Sequence, residues 1–173
     1  IRSGAAELVS DLRQRGKRVW LLTGDHAAAG KRVADALGIE SWAHDLKPND
    51  KLERVRELQD SGAIVAMVGD GVNDAPVLAQ AQVSIAMGSA AQIAVTHADM
   101  VLLSQQLPHL ADALSVSQRT LRIIRQNLAW AILYNLVAVP AAALGFVPPW
   151  LAALGMSLSS LAVVTNALRL TRT

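Results

Sequence analysis

Apolar residues Ala5, Leu8, Val9 and Leu12 recur at helical spacing, and Gly16 stops the run before a compact apolar stretch at residues 18–22. The pattern predicts a helix followed by a buried strand. Thr23-Gly24-Asp25 closes that strand, and an alanine-rich helix follows in which Val33 and Leu37 share a face before Gly38 ends it. Next come a short apolar stretch at 39–43 and the string Lys47-Pro48-Asn49-Asp50-Lys51. Pro48 or Asn49 starts a helix there, with Leu52, Val55 and Leu58 on its apolar face. Residues 64–68 read as a third apolar strand. After it the pattern predicts a helix over about 73–81, a strand near 83–86, a helix after Gly88 and a strand at 100–103. Strands alternating with helices make a doubly wound, mainly parallel α/β sheet.

Beyond residue 104 the pattern changes character. Ser104 can cap a helix beginning near Leu107-Pro108, which continues through Arg119, Arg122 and Arg125. Residues 126–168, 43 in all, then contain no Asp, Glu, Lys or Arg. That is far too long for a core helix, and two membrane crossings of about 20 residues with a short turn fit it. The expected division is a soluble part at 1–106, a connecting helix at 107–126, crossings at 127–146 and 149–168 around a turn at 147–148, and a tail at 169–173. Pro140 is placed to kink the first crossing. Arginines flank both outer ends of the pair while the intervening turn is uncharged, so both ends are expected in the cytoplasm, with Trp130 and Trp150 at opposite interfaces.

Charge and composition exclude more than they specify. The chain has 173 residues and a net charge of +2, too small to argue for a nucleic-acid partner. All 14 acidic residues lie at or before Asp112. There is no cysteine, so neither a disulfide framework nor a thiolate metal site can be built within it. No cleavable signal or transit peptide is legible at the start, and Ile1 opens in mid-pattern, so a segment of a longer protein is expected. His26, His44, His97 and His109 share no ligand spacing and read as surface or loop residues.

The candidate chemistry centres on Gly69-Asp70-Gly71-Val72-Asn73-Asp74-Ala75-Pro76, two carboxylates and an amide on a tight turn directly behind a strand. Such a turn suits a hard divalent cation: Mg²⁺ takes about one or two carboxylates and completes its octahedron with water and substrate phosphate. In an open parallel sheet, ligands gather outside the carboxyl ends of strands, which puts the Thr23 hydroxyl and its neighbouring amides where a phosphoryl oxygen would sit. Lys51, in the first turn of its helix, opposes the helix dipole, a conflict that a bound anion would offset. Taken singly, each feature has a plainer reading: an Asp-Gly turn, Asp25 capping the next helix, a solvated lysine.

Taken in order, the three strings resemble the phosphorylation domain of P-type ATPases, within the haloacid dehalogenase-like fold. The resemblance implies that Thr23, Gly24 and Lys51 meet the transferred phosphoryl group and that Asp25 lies near nucleotide and Mg²⁺. Asp70 and Asp74 would hold Mg²⁺, with Asn73 supporting that network. The family's phosphate acceptor, the aspartate of an Asp-Lys-Thr-Gly-Thr string, does not occur here. The chain therefore resembles the C-terminal portion of such a pump, with residues 1–106 as the second half of its phosphorylation domain. An inserted ATP-binding domain and the acceptor are expected upstream, and this segment alone is expected to be inactive. A soluble phosphatase of the same fold and a non-enzymatic membrane anchor are the alternatives, and the charge-free tail speaks against the first.

The hairpin bears on cargo. Tyr134-Asn135 lies near the middle of the first crossing, and Met156 and Ser160 share a face of the second at spacing four. Bare, these are packing residues and helix contacts. Together they resemble the signatures of heavy-metal, copper(I)-transporting P-type ATPases, in which an upstream Cys-Pro-Cys helix completes the pathway and a cytoplasmic copper chaperone is the expected partner. Cu⁺ is soft and monovalent, so a thioether suits it, whereas a zinc-type pump would be expected to carry a carboxylate here. A pump for another heavy metal is the alternative. The implied location is the bacterial inner membrane, with transport outward from the cytoplasm.

Overall fold

The computed structural model describes residues 1–69, 74–88, 98–104 and 106–171. Two compact units divide the chain, Ile1–Ala111 and Asp112–Thr173.

In the first unit, the helical periodicity at the start becomes α1 (Ala5–Gln14), which buries Ala5, Leu8 and Val9. Strand β1 (Trp20–Leu22) leads to α2 (Ala27–Leu37), β2 (Ser41–Ala43) and α3 (Pro48–Asp60). Strand β3 (Ala66–Gly69), the short helix α4 (Ala75–Gln80), β4 (Val83–Met87) and β5 (Met100–Leu102) follow. Every observed pairing is parallel, as alternating strands and helices require. The helix expected after Gly88 lies outside the described residues.

The hydrogen-bonded strands form two sheets, β1-β2 and β3-β4-β5, where a single doubly wound sheet was expected. Both β1 and β3 thus have one edge unpaired among the described residues, and the consequence is visible in exposure. Val68 in β3 is 38% exposed and Ile64, just before it, 82%. The apolar run at 64–68 is thus only half covered. Four of the strands are also shorter than the apolar runs that announced them, because a strand ends where its ladder partner ends, whereas β4, paired on both sides, is one residue longer than expected.

Two cores hold this unit together. Val9, Ala34 and Ile39 pack with Val19, Leu21, Leu37 and Trp42 around β1-β2. Around β3-β4 the buried side chains are Val55, Val77, Leu78, Ile85, Ala86 and Met87, with α4 packed on α3 and on both strands. Ser84, 3% exposed, is satisfied by Asp99, whose carboxylate accepts both its backbone N–H at 2.8 Å and its hydroxyl at 2.7 Å. These hydrogen bonds, the hydroxyl's first, hold the Asp99 carboxyl below its usual pKa.

In the second unit, α5 (Pro108–Ala143), which begins at the end of the first, runs unbroken through Pro140, and α6 (Pro149–Ala167) ends in a 3-10 turn, Leu168–Leu170. α5 stops three residues before the expected end of the first crossing. The cause is Gly145, whose φ of 78° lets the chain reverse while Phe146 N–H bonds back to the Ala141 carbonyl at 3.0 Å. Residues 144–148 therefore make the turn, rather than 147–148 alone. Among the described residues, one helical stretch, Pro149–Leu170, is long and apolar enough to cross a membrane.

Polar ties run along the seam between α5 and α6. The Asn166 amide donates to Asn127 Oδ1 at 2.9 Å, and Trp130 Nε1 donates to Ser159 Oγ at 3.0 Å. At Gly155, a Cβ would lie 2.8 Å from the Tyr134 hydroxyl, so only a glycine admits this approach unshifted.

Candidate active site

Thr23 leaves β1 and immediately folds on itself: its hydroxyl accepts the Asp25 backbone N–H at 3.0 Å and donates to Asp25 Oδ2 at 3.2 Å. Asp25 is thereby engaged with Thr23 and does not cap α2, whose N-cap position is His26, without a side-chain cap. The turn is pinned to the loop after β2, where Asp45 N–H bonds the Asp25 carbonyl at 2.8 Å and Leu46 N–H bonds the Thr23 carbonyl at 3.1 Å. From beneath, the buried Gly30 of α2 makes room. A Cβ there would stand 3.2 Å from the Thr23 methyl and 3.4 Å from the Trp42 ring.

The pinned loop runs directly into α3. Pro48 takes the first helical position and the Asp50 carboxylate accepts the Lys47 backbone N–H at 2.8 Å, so the first turn is well determined. One residue on, Lys51 Nζ reaches Asp74 Oδ1 at 2.8 Å, with side chains 16% and 14% exposed. The conflict between Lys51 and its own helix dipole is thus met by a carboxylate within the chain. Asp74 stands at the end of β3: a Cβ on Gly69 would meet its Cβ at 3.0 Å and its Oδ2 at 3.3 Å. Residues 23 sequence positions apart therefore become neighbours because α3 packs on α4 and α4 on β3.

Asp70 and Asn73 lie outside the described residues, as does His97. Among the described residues no three His, Cys, Asp or Glu side chains cluster as metal ligands. Mg²⁺ does not need such a cluster, since water and phosphate supply most of its shell. A half-buried carboxylate at a strand end, one oxygen paired to an ammonium and the other beside a glycine backbone, fits a hard cation in the donor it offers.

The sequence reading missed a second polar group beside this site. Asp45, at φ 52°, bonds His44 Nδ1 through Oδ2 at 2.7 Å and His26 Nδ1 through Oδ1 at 2.8 Å. The bond to His44 and then that to His26 hold the Asp45 carboxyl below its ordinary pKa. The two histidines are 18 positions apart and share no spacing; the His44-Asp45 adjacency was the one local signal.

In the hairpin, Tyr134 is half-buried against α6, while Asn135, Met156 and Ser160 are exposed. Asn135 Nδ2 bonds the Ala131 carbonyl of its own helix at 2.9 Å. Tyr134 faces the seam, and among the described residues no hydrogen bond joins Tyr134 or Asn135 to Met156 or Ser160.

A family model described as haloacid dehalogenase-like hydrolase matches residues 1–82, and a second of the same description matches 51–114. The "Probable copper-exporting P-type ATPase V" of Mycobacterium tuberculosis (strain CDC 1551 / Oshkosh) is 45% identical over 172 residues, 99% of this chain and 22% of that protein. The "Copper-exporting P-type ATPase" of Staphylococcus aureus (strain JH9) is 42% identical over 170 residues, 98% of this chain and 21% of that protein. This chain thus spans about a fifth of the length of these curated relatives. Among solved structures, a zinc-transporting PIB-type ATPase in the E2.Pi state matches with a TM-score of 0.92 and 36% identity, over 98% of this chain and 28% of that one. The catalytic domain CopB-B of a CPx-ATPase matches with a TM-score of 0.62 and 34% identity, over 65% of this chain and 44% of that one. With its half-buried Lys51–Asp74 pair at the end of a parallel strand, the chain is similar along nearly its whole length to a part of P-type ATPases, and its first unit carries a haloacid dehalogenase-like α/β fold.

Proposed function

We propose that this chain is the C-terminal portion of a pump that uses ATP to drive Cu⁺ out of the cytoplasm through an aspartyl-phosphate intermediate. The observation that carries the reading is the Lys51–Asp74 pair at 2.8 Å, an ammonium and a carboxylate held together where β3 ends. In this reading residues 1–106 are half of the phosphorylation domain, 107–126 connect it to the membrane, and 127–146 and 149–168 are crossings with both outer ends cytoplasmic. The bacterial inner membrane is the proposed location.

Phosphoryl transfer needs positioning and charge neutralisation more than covalent chemistry from the protein. Lys51 supplies a fixed positive charge, and Asp74 orients it. The Gly24 backbone N–H would donate to a phosphoryl oxygen, and the Thr23 hydroxyl would join it by turning its one proton away from Asp25 Oδ2, with the turn held by the Asp25 N–H and by the Leu46 bond. Asp70 and Asp74 would hold Mg²⁺, with Asn73 in support, and the ion would supply further neutralisation of the transferred group. The acceptor aspartate is proposed to stand on an upstream strand, together with the ATP-binding domain. The open edges of β1 and β3, one leading into Thr23 and the other ending at Gly69, support a further strand that pairs between them. The segment alone is accordingly proposed to be inactive.

For cargo, Tyr134, Asn135, Met156 and Ser160 are the proposed contributors, completed by an upstream Cys-Pro-Cys helix, with a cytoplasmic copper chaperone as donor. Copper is favoured over zinc because residues 126–168 offer a thioether and no carboxylate. The names of the M. tuberculosis and S. aureus relatives point the same way, whereas the matched solved structure is of a zinc transporter.

Two measurements on the full-length pump test the reading. Asp70→Asn is expected to abolish most Mg²⁺-dependent phosphoenzyme, and normal phosphoenzyme would defeat the assignment. ATPase under reducing conditions is expected to be stimulated by Cu⁺; stimulation by Zn²⁺ alone, or unchanged Cu⁺ transport in Met156→Leu with Tyr134→Phe, would overturn the copper reading.

A further inference from the structure

Along α5, Gln118, Leu121, Arg122, Arg125, Gln126 and Ala129 line an open recess of about 560 Å³, all of it within the second unit. Its two cations are not committed elsewhere: Arg122 and Arg125 are exposed, and among the described residues no ion pair holds either. Arg119, on the same helix, is different, since its guanidinium donates to the Arg169 carbonyl at 2.5 Å. Within residues 112–173 the sequence has five arginines and one carboxylate, Asp112. That carboxylate lies ten positions before Arg122, about 15 Å along the helix axis, too far to neutralise it. Arg125 is the last charge before the uncharged run of 126–168. If that run lies in the bilayer, the two guanidinium groups stand at the depth of the lipid phosphates.

We propose that Arg122 and Arg125 form a binding site for the phosphodiester of an anionic glycerophospholipid. The inference rests on the membrane hairpin proposed above. Spacing of three puts the two guanidinium groups on one face, about 4.5 Å apart in rise, so that both can donate to one phosphate, which arginine does through paired N–H groups. Gln118, one turn before Arg122, and Gln126 bring amides that suit the hydroxyls of a glycerol headgroup. Leu121 and Ala129 bring apolar surface to the first methylenes of the chains. Net charge selects among lipids, because no carboxylate of this recess compensates its two cations, which an acidic headgroup does, whereas a zwitterionic one carries its own cation.

The test is native mass spectrometry of the full-length pump released from nanodiscs of phosphatidylcholine containing a minority of phosphatidylglycerol. Wild type is expected to retain phosphatidylglycerol in excess of its share. Arg122→Gln with Arg125→Gln is expected to lower that retention roughly tenfold or more, at about fivefold per arginine, while Arg122→Lys with Arg125→Lys keeps part of it and Arg119→Gln leaves it unchanged. Equal retention in the double glutamine variant overturns the site. Displacement of the lipid by millimolar inorganic phosphate would reassign the recess to a soluble anion and overturn the lipid source. The hairpin is checked separately with Leu133→Cys and Val164→Cys in sealed vesicles. Labelling of these by a membrane-impermeant maleimide sinks the membrane reading itself, whereas protection with unchanged lipid retention sinks the lipid site alone.

Discussion

Replacing Lys51 by methionine keeps most of the side-chain volume and removes the charge, leaving the Asp74 carboxylate at 14% exposure without its partner. At 2.8 Å the bare attraction is about 6 kcal/mol with an effective dielectric near 20, but burial of both ions takes back several kcal/mol. A fully buried carboxylate stripped of its partner costs about 3–5 kcal/mol, and this pair is slightly less enclosed. About 3 kcal/mol is therefore expected for Lys51→Met, about 2 for Asp74→Asn, and a coupling of about 2 between them, so that the double variant is barely worse than the worse single one. For a unit of this size roughly 4 °C in Tm accompanies each kcal/mol, so the single lysine variant should melt about 12 °C lower. Near-UV circular dichroism of the detergent-solubilised chain reads this. A coupling under about 0.5 kcal/mol would refute the pair as a structural tie.

Three further outcomes follow from contacts already described. Gly30→Ala gains up to about 1 kcal/mol of helix propensity but sets a methyl 3.2 Å from Thr23 Cγ2, so stability should stay within about 1 kcal/mol while phosphoenzyme formation in the full-length pump falls severalfold; unchanged phosphoenzyme would detach Thr23 from the reaction. Ser84→Ala removes the hydroxyl that does most to depress the Asp99 pKa. Because a depressed carboxylate contributes stability above the unfolded value of 3.8 and loses it as pH falls through the folded value, the variant should show a flatter stability slope below about pH 4 and an Asp99 titration moved upward by carboxyl NMR; an unmoved titration refutes it. Gly155→Ala should lower the melting temperature of the solubilised chain by crowding the Tyr134 hydroxyl, and Tyr134→Phe should restore it; absence of rescue would place the strain elsewhere.

How much of this was legible depended on distance along the chain. Helices announced themselves: the Ala5, Leu8, Val9 spacing, the stop at Gly38 and the start at Pro48 all recur in α1, α2 and α3. Strands were legible as apolar runs but not in length or partnership, because residues 64–68 carry no sign of which edge will be paired. The same limit hid the split into two sheets. Thr23 and Lys51 could be named from their strings, yet the Lys51–Asp74 contact depends on α3 packing on α4, which no local pattern encodes. Gly30 looked like one more small residue in an alanine-rich helix. His26 and His44 meet on Asp45 only because two loops are pinned together, which also explains why spacing arguments dismissed them.

The seam between α5 and α6 also governs how the hairpin can move. Its contacts include Asn127 to Asn166, Trp130 to Ser159 and Tyr134 to Gly155, which are distributed along the helices and differ in kind, two of them hydrogen bonds and one a close approach. Sliding one helix past the other by a turn, about 5.4 Å, would break both bonds at once and drive the tyrosine hydroxyl into a neighbouring side chain in place of glycine. In the bilayer proposed above, the freed amide and indole N–H would find no water to replace their partners. A slide by a turn is therefore costly for this pair, and the two helices are expected to move together as one rigid lever.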